Sequence, residues 1–150
     1  DFTNTMQSLG DIIKNSLSDE ILFEDAFNLL ISSGEIGIKS ACVSASPQEL
    51  LEYKLSRANI EQSFDYIIGG DQVNRNKPYP DIYNKAIAKL GTTKNIIIED
   101  SPTGIKAGKS SNTFVVAINR GMFTKDDLSE ADLIVEELLL ENFLSIFKSL

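Results

Sequence analysis

The sequence predicts an α/β fold in which a mostly parallel sheet lies between two layers of helices. Two observations support this prediction. Short runs of aliphatic and β-branched residues alternate along the chain with amphipathic segments, an order typical of consecutive βαβ units. Turns rich in Gly, Pro, Ser and Asn separate these runs, and no internal repeat, low-complexity tract or linker interrupts them. The 150 residues suit one domain with its own hydrophobic core.

The individual elements follow from apolar spacing and from the residues that start or stop a helix. Strands are predicted over residues 38–43, 65–68, 96–99, 113–118 and 133–135. Helices are predicted over 4–16, 23–33, 47–55, 81–90, 104–110 and 138–147. The second helix is expected to bury Phe23, Ala26, Phe27, Leu30 and Ile31, and the fourth is expected to end at Gly91.

Charge and composition exclude several classes of function. The net charge of −8 argues against a nucleic-acid-binding protein, which would present a basic face, and weakly against binding to anionic membranes. No apolar stretch is long enough to span a bilayer and no signal peptide is visible, so a cytoplasmic location is expected. The chain contains no histidine, which excludes mechanisms that rely on one of its own histidines. Its only cysteine, Cys42, is expected to be a small buried hydrophobe in a strand.

Polar side chains that suit a phosphate group follow three of the apolar runs. Ser44 comes after the first strand, Lys77 lies in a polar loop before Pro78, and Glu99 and Asp100 end the strand at 96–99. Because the carboxyl ends of parallel strands lie at one edge of a sheet, these groups can converge. A hydroxyl and an ammonium can hold phosphoryl oxygens, and the two carboxylates can hold Mg²⁺ directly or through water. Each residue alone is commonly a turn residue, a surface charge or a helix cap; their combination is more specific.

Three segments of the chain resemble motifs of the haloacid dehalogenase superfamily of phosphohydrolases and phosphomutases. The resemblance extends from about Phe23 to the end of the chain. Ala-Cys-Val-Ser-Ala-Ser-Pro at 41–47 resembles the second motif, Asn-Lys-Pro-Tyr-Pro-Asp-Ile-Tyr at 76–83 the third, and Ile-Ile-Glu-Asp-Ser-Pro-Thr-Gly-Ile at 97–105 the fourth. The Ser-Ala-Ser form of the second motif is similar to that of the sugar-phosphate phosphatase and β-phosphoglucomutase branch.

The resemblance implies a Rossmann-like three-layer core and a role for each motif residue. Ser44 and Ala45 would bind the phosphate, Lys77 would be both catalytic and phosphate-binding, and Glu99 and Asp100 would bind Mg²⁺. A further aspartate, carried by the first motif after the central strand, would attack phosphorus and form an aspartyl-phosphate. A second aspartate two residues later would act as general acid and base.

The first motif is where the sequence departs from the family pattern. Asp-Phe-Thr-Asn-Thr-Met at 1–6 resembles it, with Asp1 as the candidate nucleophile and Thr3 in place of the general acid. In the competing interpretation, residues 1–20 are the last part of a mobile helical cap and 21–150 form the core. The second interpretation is favoured because a nucleophile at Asp1 would leave no chain before it for the central strand. Both interpretations predict that this strand comes from residues upstream of Asp1 or from a separate chain.

The function predicted from these residues is Mg²⁺-dependent hydrolysis of a small phosphorylated metabolite, foremost a sugar phosphate. A phosphomutase on the same scaffold is the first alternative, since it would use the same groups to move phosphate between sugar hydroxyls. A catalytically inactive module that binds a ligand or partner is the second alternative, favoured by the absent first motif.

Overall fold

A computed structural model describes residues 22–150, so the predicted cap segment 1–20 and the candidate nucleophile Asp1 lie outside the described residues. The described chain alternates helices and strands as predicted. They are α1 (Glu24–Glu35), β1 (Ala41–Val43), α2 (Gln48–Arg57), β2 (Tyr66–Ile68), α3 (Asp81–Leu90), β3 (Ile96–Glu99), α4 (Pro102–Ser110), β4 (Phe114–Ile118), β5 (Leu133–Val135) and α5 (Leu140–Ser149). Within this part of the chain no helix is long and apolar enough to cross a membrane.

The described strands pair in two groups, and every pair is parallel, as predicted. β1 pairs with β2, with Val43 opposite Ile68. β3 pairs with β4, with Glu99 opposite Ala117, and β4 pairs with β5. Helix α2 connects β1 to β2 and α4 connects β3 to β4, whereas residues 119–132 connect β4 to β5 without a helix; these connections supply the crossovers that parallel pairing requires.

Helices cover the strands on both faces, which gives the predicted three layers. On one face α3 and α4 pack over Ile68, Ile97 and Val115, all within one buried cluster. On the other face α1 and α5 pack over Val116, the neighbour of Val115, because successive residues of a strand point to opposite faces. Helix α4 approaches the sheet closely: a Cβ on Gly108 would lie 2.8 Å from a methyl carbon of Val115.

A slot separates the two groups of strands. Among the described strands β1 has only β2 as a partner, and β3 has only β4. Between them lies a cavity of about 630 Å³, lined by β1, β3 and apolar side chains of α1, α3 and α5. Ile98, in the middle of β3, lines this slot and is 38% exposed. Two sheet edges of apolar strands therefore face each other across an open space.

The backbone of Val43 faces the slot. The amide of Ser44 donates to Ile68 at 3.1 Å and the carbonyl of Ser40 accepts from Tyr66 at 3.3 Å, so these two residues turn their backbone towards β2. In a parallel strand the direction of the hydrogen-bonding groups alternates from residue to residue. Ala41 and Val43 therefore turn their amide and carbonyl groups away from β2, into the slot.

Helix α1 forms where predicted, but the buried face assigned to it was partly wrong. Phe23, Phe27 and Ile31 are 58%, 37% and 36% exposed, whereas Ala26, Leu29 and Leu30 line the slot. The segment carries apolar residues around most of the helix, so spacing alone leaves two adjacent stripes available. Packing against α5 decides between them.

The start of α1 is tied to two distant parts of the chain through Asp25. Its carboxylate accepts from the Arg120 guanidinium at 2.6 Å and from the amide of Leu138 at 3.0 Å. Arg120 follows β4 and Leu138 precedes α5. The side chains of Asp25 and Arg120 are only 14% and 18% exposed, which keeps solvent screening of this pair low.

Candidate functional site

Lys77 connects the carboxyl ends of β1 and β3, the two strands that border the slot. Its ammonium donates to the carbonyl of Val43 at 3.3 Å and forms an ion pair with the carboxylate of Glu99. The side chains of Lys77 and Glu99 are 9% and 7% exposed. The sequence placed these groups at the ends of separate strands, and the structure brings them into contact.

Glu99 lies at the centre of a hydrogen-bonded cluster. One carboxylate oxygen, Oε1, accepts from Lys77 and from the hydroxyl of Tyr83. The other, Oε2, accepts from the Ser101 hydroxyl at 3.2 Å and from the Asp100 amide at 3.3 Å. A carboxylate offers about four lone-pair sites, so these donors fill it.

Ser101 and Gly104 fit Glu99 against the first turn of α4. The oxygen of the Ser101 hydroxyl accepts from the amide of Gly104 at 3.2 Å and so caps the helix, while its hydrogen goes to Glu99. A Cβ on Gly104 would lie well within 3.0 Å of the carboxyl atoms of Glu99. The Gly at this position therefore makes room for the buried carboxylate.

Ser44 and Ala45 form the turn between β1 and α2, next to Lys77. The Ser44 oxygen accepts from the amide of Ser46 at 3.1 Å, and Ala45 is exposed. A hydroxyl can accept and donate at the same time, so Ser44 can still donate to a phosphoryl oxygen. The predicted phosphate-binding residues thus lie on consecutive positions after Val43, whose carbonyl holds Lys77.

Asp100 differs from its neighbour Glu99 in that its side chain is exposed at the carboxyl edge of β3. Within residues 22–150 no group of three or more acidic or cysteine side chains is close enough to hold a metal ion alone. Mg²⁺ commonly takes one or two protein carboxylates and completes its shell with water and substrate phosphate. The exposed carboxylate of Asp100 fits that requirement. Glu99 accepts from Lys77, Tyr83, Ser101 and the Asp100 amide here, and its role as a second metal ligand stays a prediction.

Asn76 fixes the loop that carries Lys77, a contribution that sequence reasoning missed. Its side chain donates to the carbonyl of Ala45 at 2.9 Å and accepts from the amide of Lys77 at 2.8 Å. A Cβ on Gly70 would collide with this Asn76 side chain. The Lys77–Pro78 peptide bond that follows is cis. Asn76 therefore ties the second and third motif segments together.

Tyr83 was also missed, although one signal in the sequence points to it. It lies on the buried face of α3, and a buried tyrosine hydroxyl needs a hydrogen-bond partner. Burial, and next the negative charge of Glu99, raise the pKa of Tyr83 well above its ordinary range. The hydroxyl therefore stays protonated and acts as a neutral donor.

Cys42 takes no part in the hydrogen bonds around Glu99. Burial raises the pKa of its thiol to about 11, against a smaller opposite effect of the Lys77 charge. Its side chain packs with Leu51, Leu55 and Ile60 under α2. The strand location and the packing role expected of Cys42 are confirmed, but the residue is half-buried rather than buried.

Comparison with known proteins identifies the same family that the three motifs resemble. The family model of haloacid dehalogenase-like hydrolases matches residues 2–118. The chain is 30% identical over 123 residues to validoxylamine A 7'-phosphate phosphatase of Streptomyces hygroscopicus subsp. limoneus, covering 79% of this chain and 56% of that protein. It is 37% identical over 76 residues to a phosphorylated carbohydrates phosphatase of Thermotoga maritima, covering 49% of this chain and 35% of that protein.

A solved structure shows the same fold. β-Phosphoglucomutase from Clostridium difficile superposes with a TM-score of 0.78 at 25% identity, covering 91% of this chain and 61% of that one. The chain thus spans between about a third and three fifths of the length of these relatives. The matched motifs, the parallel strands and the Lys77–Glu99 contact between strand ends agree on one conclusion: the chain belongs to the haloacid dehalogenase-like hydrolases.

Proposed function

We propose that the protein hydrolyses small phosphorylated metabolites, foremost sugar phosphates, in a Mg²⁺-dependent reaction. The observation that carries the proposal is the buried contact of Lys77 with Glu99 and with the end of β1. This contact holds the Lys77 ammonium against Val43, the residue before Ser44. A phosphoryl group bound at this point can accept hydrogen bonds from both Ser44 and Lys77. Two relatives, named validoxylamine A 7'-phosphate phosphatase and phosphorylated carbohydrates phosphatase, support the substrate class.

Within this proposal the two acidic residues of the fourth motif have different tasks. Asp100 holds Mg²⁺ with its exposed carboxylate. Glu99 is buried and positions the Lys77 ammonium through their ion pair. The metal would supply positive charge that offsets the phosphoryl charge during in-line transfer. Ser44 and Lys77 bind and orient the phosphoryl oxygens, and Ala45, an exposed residue of the same turn, borders the phosphate site.

We further infer that a strand from outside residues 22–150, or from a second chain, fills the slot and carries the nucleophilic aspartate. Asp1 stays the candidate within the given sequence. The support is the 630 Å³ slot, whose walls include β1 and β3. Backbone amides inside a fold need acceptors, and the amides of Ala41 and Val43 turn into this space, whereas the Val43 carbonyl already accepts from Lys77. Amide hydrogen exchange of the active protein tests this inference, because exchange of Ala41 and Val43 as fast as in a loop would contradict it.

The test of the function compares phosphate release by the wild-type protein, an Asp100→Asn variant and a Glu130→Gln control. Glu130 is exposed just before β5 and so lies at the opposite, amino edge of the sheet. Sugar phosphates serve as substrates with Mg²⁺ added stepwise, and calorimetry measures Mg²⁺ binding separately.

We expect Asp100→Asn to lose about a hundredfold or more in turnover and to bind Mg²⁺ more weakly, since a neutral amide replaces a charged oxygen ligand. Glu130→Gln should behave as the wild type. Equal Mg²⁺ affinity of the Asp100→Asn variant and the wild type would refute the metal assignment. A wild-type protein that binds sugar phosphates without turning them over would instead support an inactive binding module.

A phosphomutase is the second candidate, favoured by the likeness to a solved β-phosphoglucomutase. The same assay separates the two reactions when its substrate is a hexose 1-phosphate. A phosphatase releases inorganic phosphate, whereas a mutase forms hexose 6-phosphate without net release. The composition, with one cysteine and a net charge of −8, supports a cytoplasmic location and a small-molecule partner rather than nucleic acid.

A further inference from the structure

Tyr83 acts on Lys77 in two separable ways. Its hydroxyl donates to the same Glu99 oxygen that Lys77 contacts. Its ring lies under the Lys77 ammonium, 4.9 Å from nitrogen to ring centroid, which is a cation–π distance. Tyr83 itself is 5% exposed and lines the slot. A change to Phe would keep the ring and remove only the hydroxyl.

The hydroxyl restricts how the Glu99 carboxylate can turn. With Tyr83 and Lys77 on Oε1, and Ser101 on Oε2, rotation of the carboxylate would break several hydrogen bonds at once. Without the hydroxyl, Oε1 would have one donor fewer and would be free to move away from Lys77. Lys77 would then lose the fixed acceptor that holds it opposite Val43.

We propose that Tyr83 is a positioning residue whose hydroxyl fixes Glu99 and thereby holds the Lys77 ammonium between the carboxyl ends of β1 and β3. The inference rests on the proposed phosphoryl chemistry for its effect on turnover. Its effect on Lys77 is independent of turnover and is measured separately.

The experiment compares Tyr83→Phe with Tyr66→Phe. Tyr66 lies at the start of β2, is half-buried and packs against the same core cluster, so the control also removes one tyrosine hydroxyl from this region. Nuclear magnetic resonance of protein with ¹⁵N-labelled lysine observes ammonium groups whose hydrogens exchange slowly because acceptors hold them. A Lys77→Gln variant identifies the Lys77 signal. Turnover of p-nitrophenyl phosphate is followed in parallel, at a temperature at which the variants are folded.

We expect the Lys77 signal in the wild type and in Tyr66→Phe, and its loss in Tyr83→Phe. We also expect kcat of Tyr83→Phe to fall about tenfold, as for the loss of one hydrogen bond to a charged group, with Tyr66→Phe close to the wild type. A Lys77 signal unchanged in Tyr83→Phe would overturn the inference. If the wild type releases phosphate neither from p-nitrophenyl phosphate nor from sugar phosphates, the proposed phosphatase function fails, and the lysine signal still decides whether Tyr83 positions Lys77.

Discussion

Replacing Gly104 by Ala tests whether Glu99 is held as tightly as its contacts indicate. In an open helix this change stabilises, by about 1 kcal/mol, because Ala restricts the unfolded chain. Here the added Cβ would occupy the space of the Glu99 carboxylate. The carboxylate could move only by giving up its bonds with Lys77 and Tyr83.

The expected magnitude follows from those bonds. A hydrogen bond to a charged group contributes about 1.5–3 kcal/mol, so two of them contribute about 3–6 kcal/mol. After the helix gain of about 1 kcal/mol is subtracted, Gly104→Ala should lower the free energy of unfolding by about 2–5 kcal/mol. Urea denaturation measures this difference, from the transition midpoint and an unchanged slope.

Two comparisons make the measurement specific to Glu99. Gly34→Ala is the matched control, since Gly34 also lies in a helix but a Cβ there would meet nothing within 4 Å. It should stabilise by about 0.5–1 kcal/mol. In a Glu99→Ala background the collision is gone, so Gly104→Ala should no longer destabilise. A penalty of the same size in both backgrounds would refute the reasoning, as would a neutral effect of Gly104→Ala in the wild type.

Two further outcomes are expected from groups outside the cluster. Asp25→Ala should lower the free energy of unfolding at pH 7 by about 2–3 kcal/mol, because it leaves the Arg120 guanidinium without its carboxylate. Arg120 lowers the pKa of Asp25, so this stabilisation is present above pH about 4 and is lost as the pH falls through the lowered pKa; the urea midpoints of wild type and variant should approach each other as the pH is lowered below about 4. The thiol of Cys42, with its pKa raised to about 11, should react with a thiol reagent at pH 8 far more slowly in folded than in unfolded protein, and equal rates would contradict its burial.

Much of the fold could be predicted because local chemistry decides it. The end of α3 is an example: Gly91 adopts φ 66°, a left-handed conformation that glycine reaches without strain, and the helix ends there as predicted. The strand at 96–99 was predicted at the bounds that the structure shows, since a continuous aliphatic run ending in two carboxylates leaves few alternatives. The face of α1 was not predictable in the same way, because its partner α5 begins 105 residues after α1 ends at Glu35, and spacing contains no information about that partner.

In the candidate site, too, local sequence predicted some features and only packing decided the others. Sequence alone selected Ser44, Lys77, Glu99 and Asp100, because hydroxyl, ammonium and carboxylate groups at strand ends suit a phosphate and a metal. It treated Glu99 and Asp100 as equivalent. Only tertiary structure separates them, since strand alternation buries Glu99 against Lys77 and Tyr83 and leaves Asp100 exposed.

What the sequence determined by itself is therefore the order of elements and the chemical types at their ends, both set by interactions between residues near in the chain. Tertiary structure decided which groups meet: Tyr83 with Glu99, sixteen positions apart, and Lys77 with Val43, thirty-four apart. It also decided that β1 and β3 face each other across a slot rather than pairing. Contacts of this range depend on how whole strands and helices pack, and no local pattern records that packing.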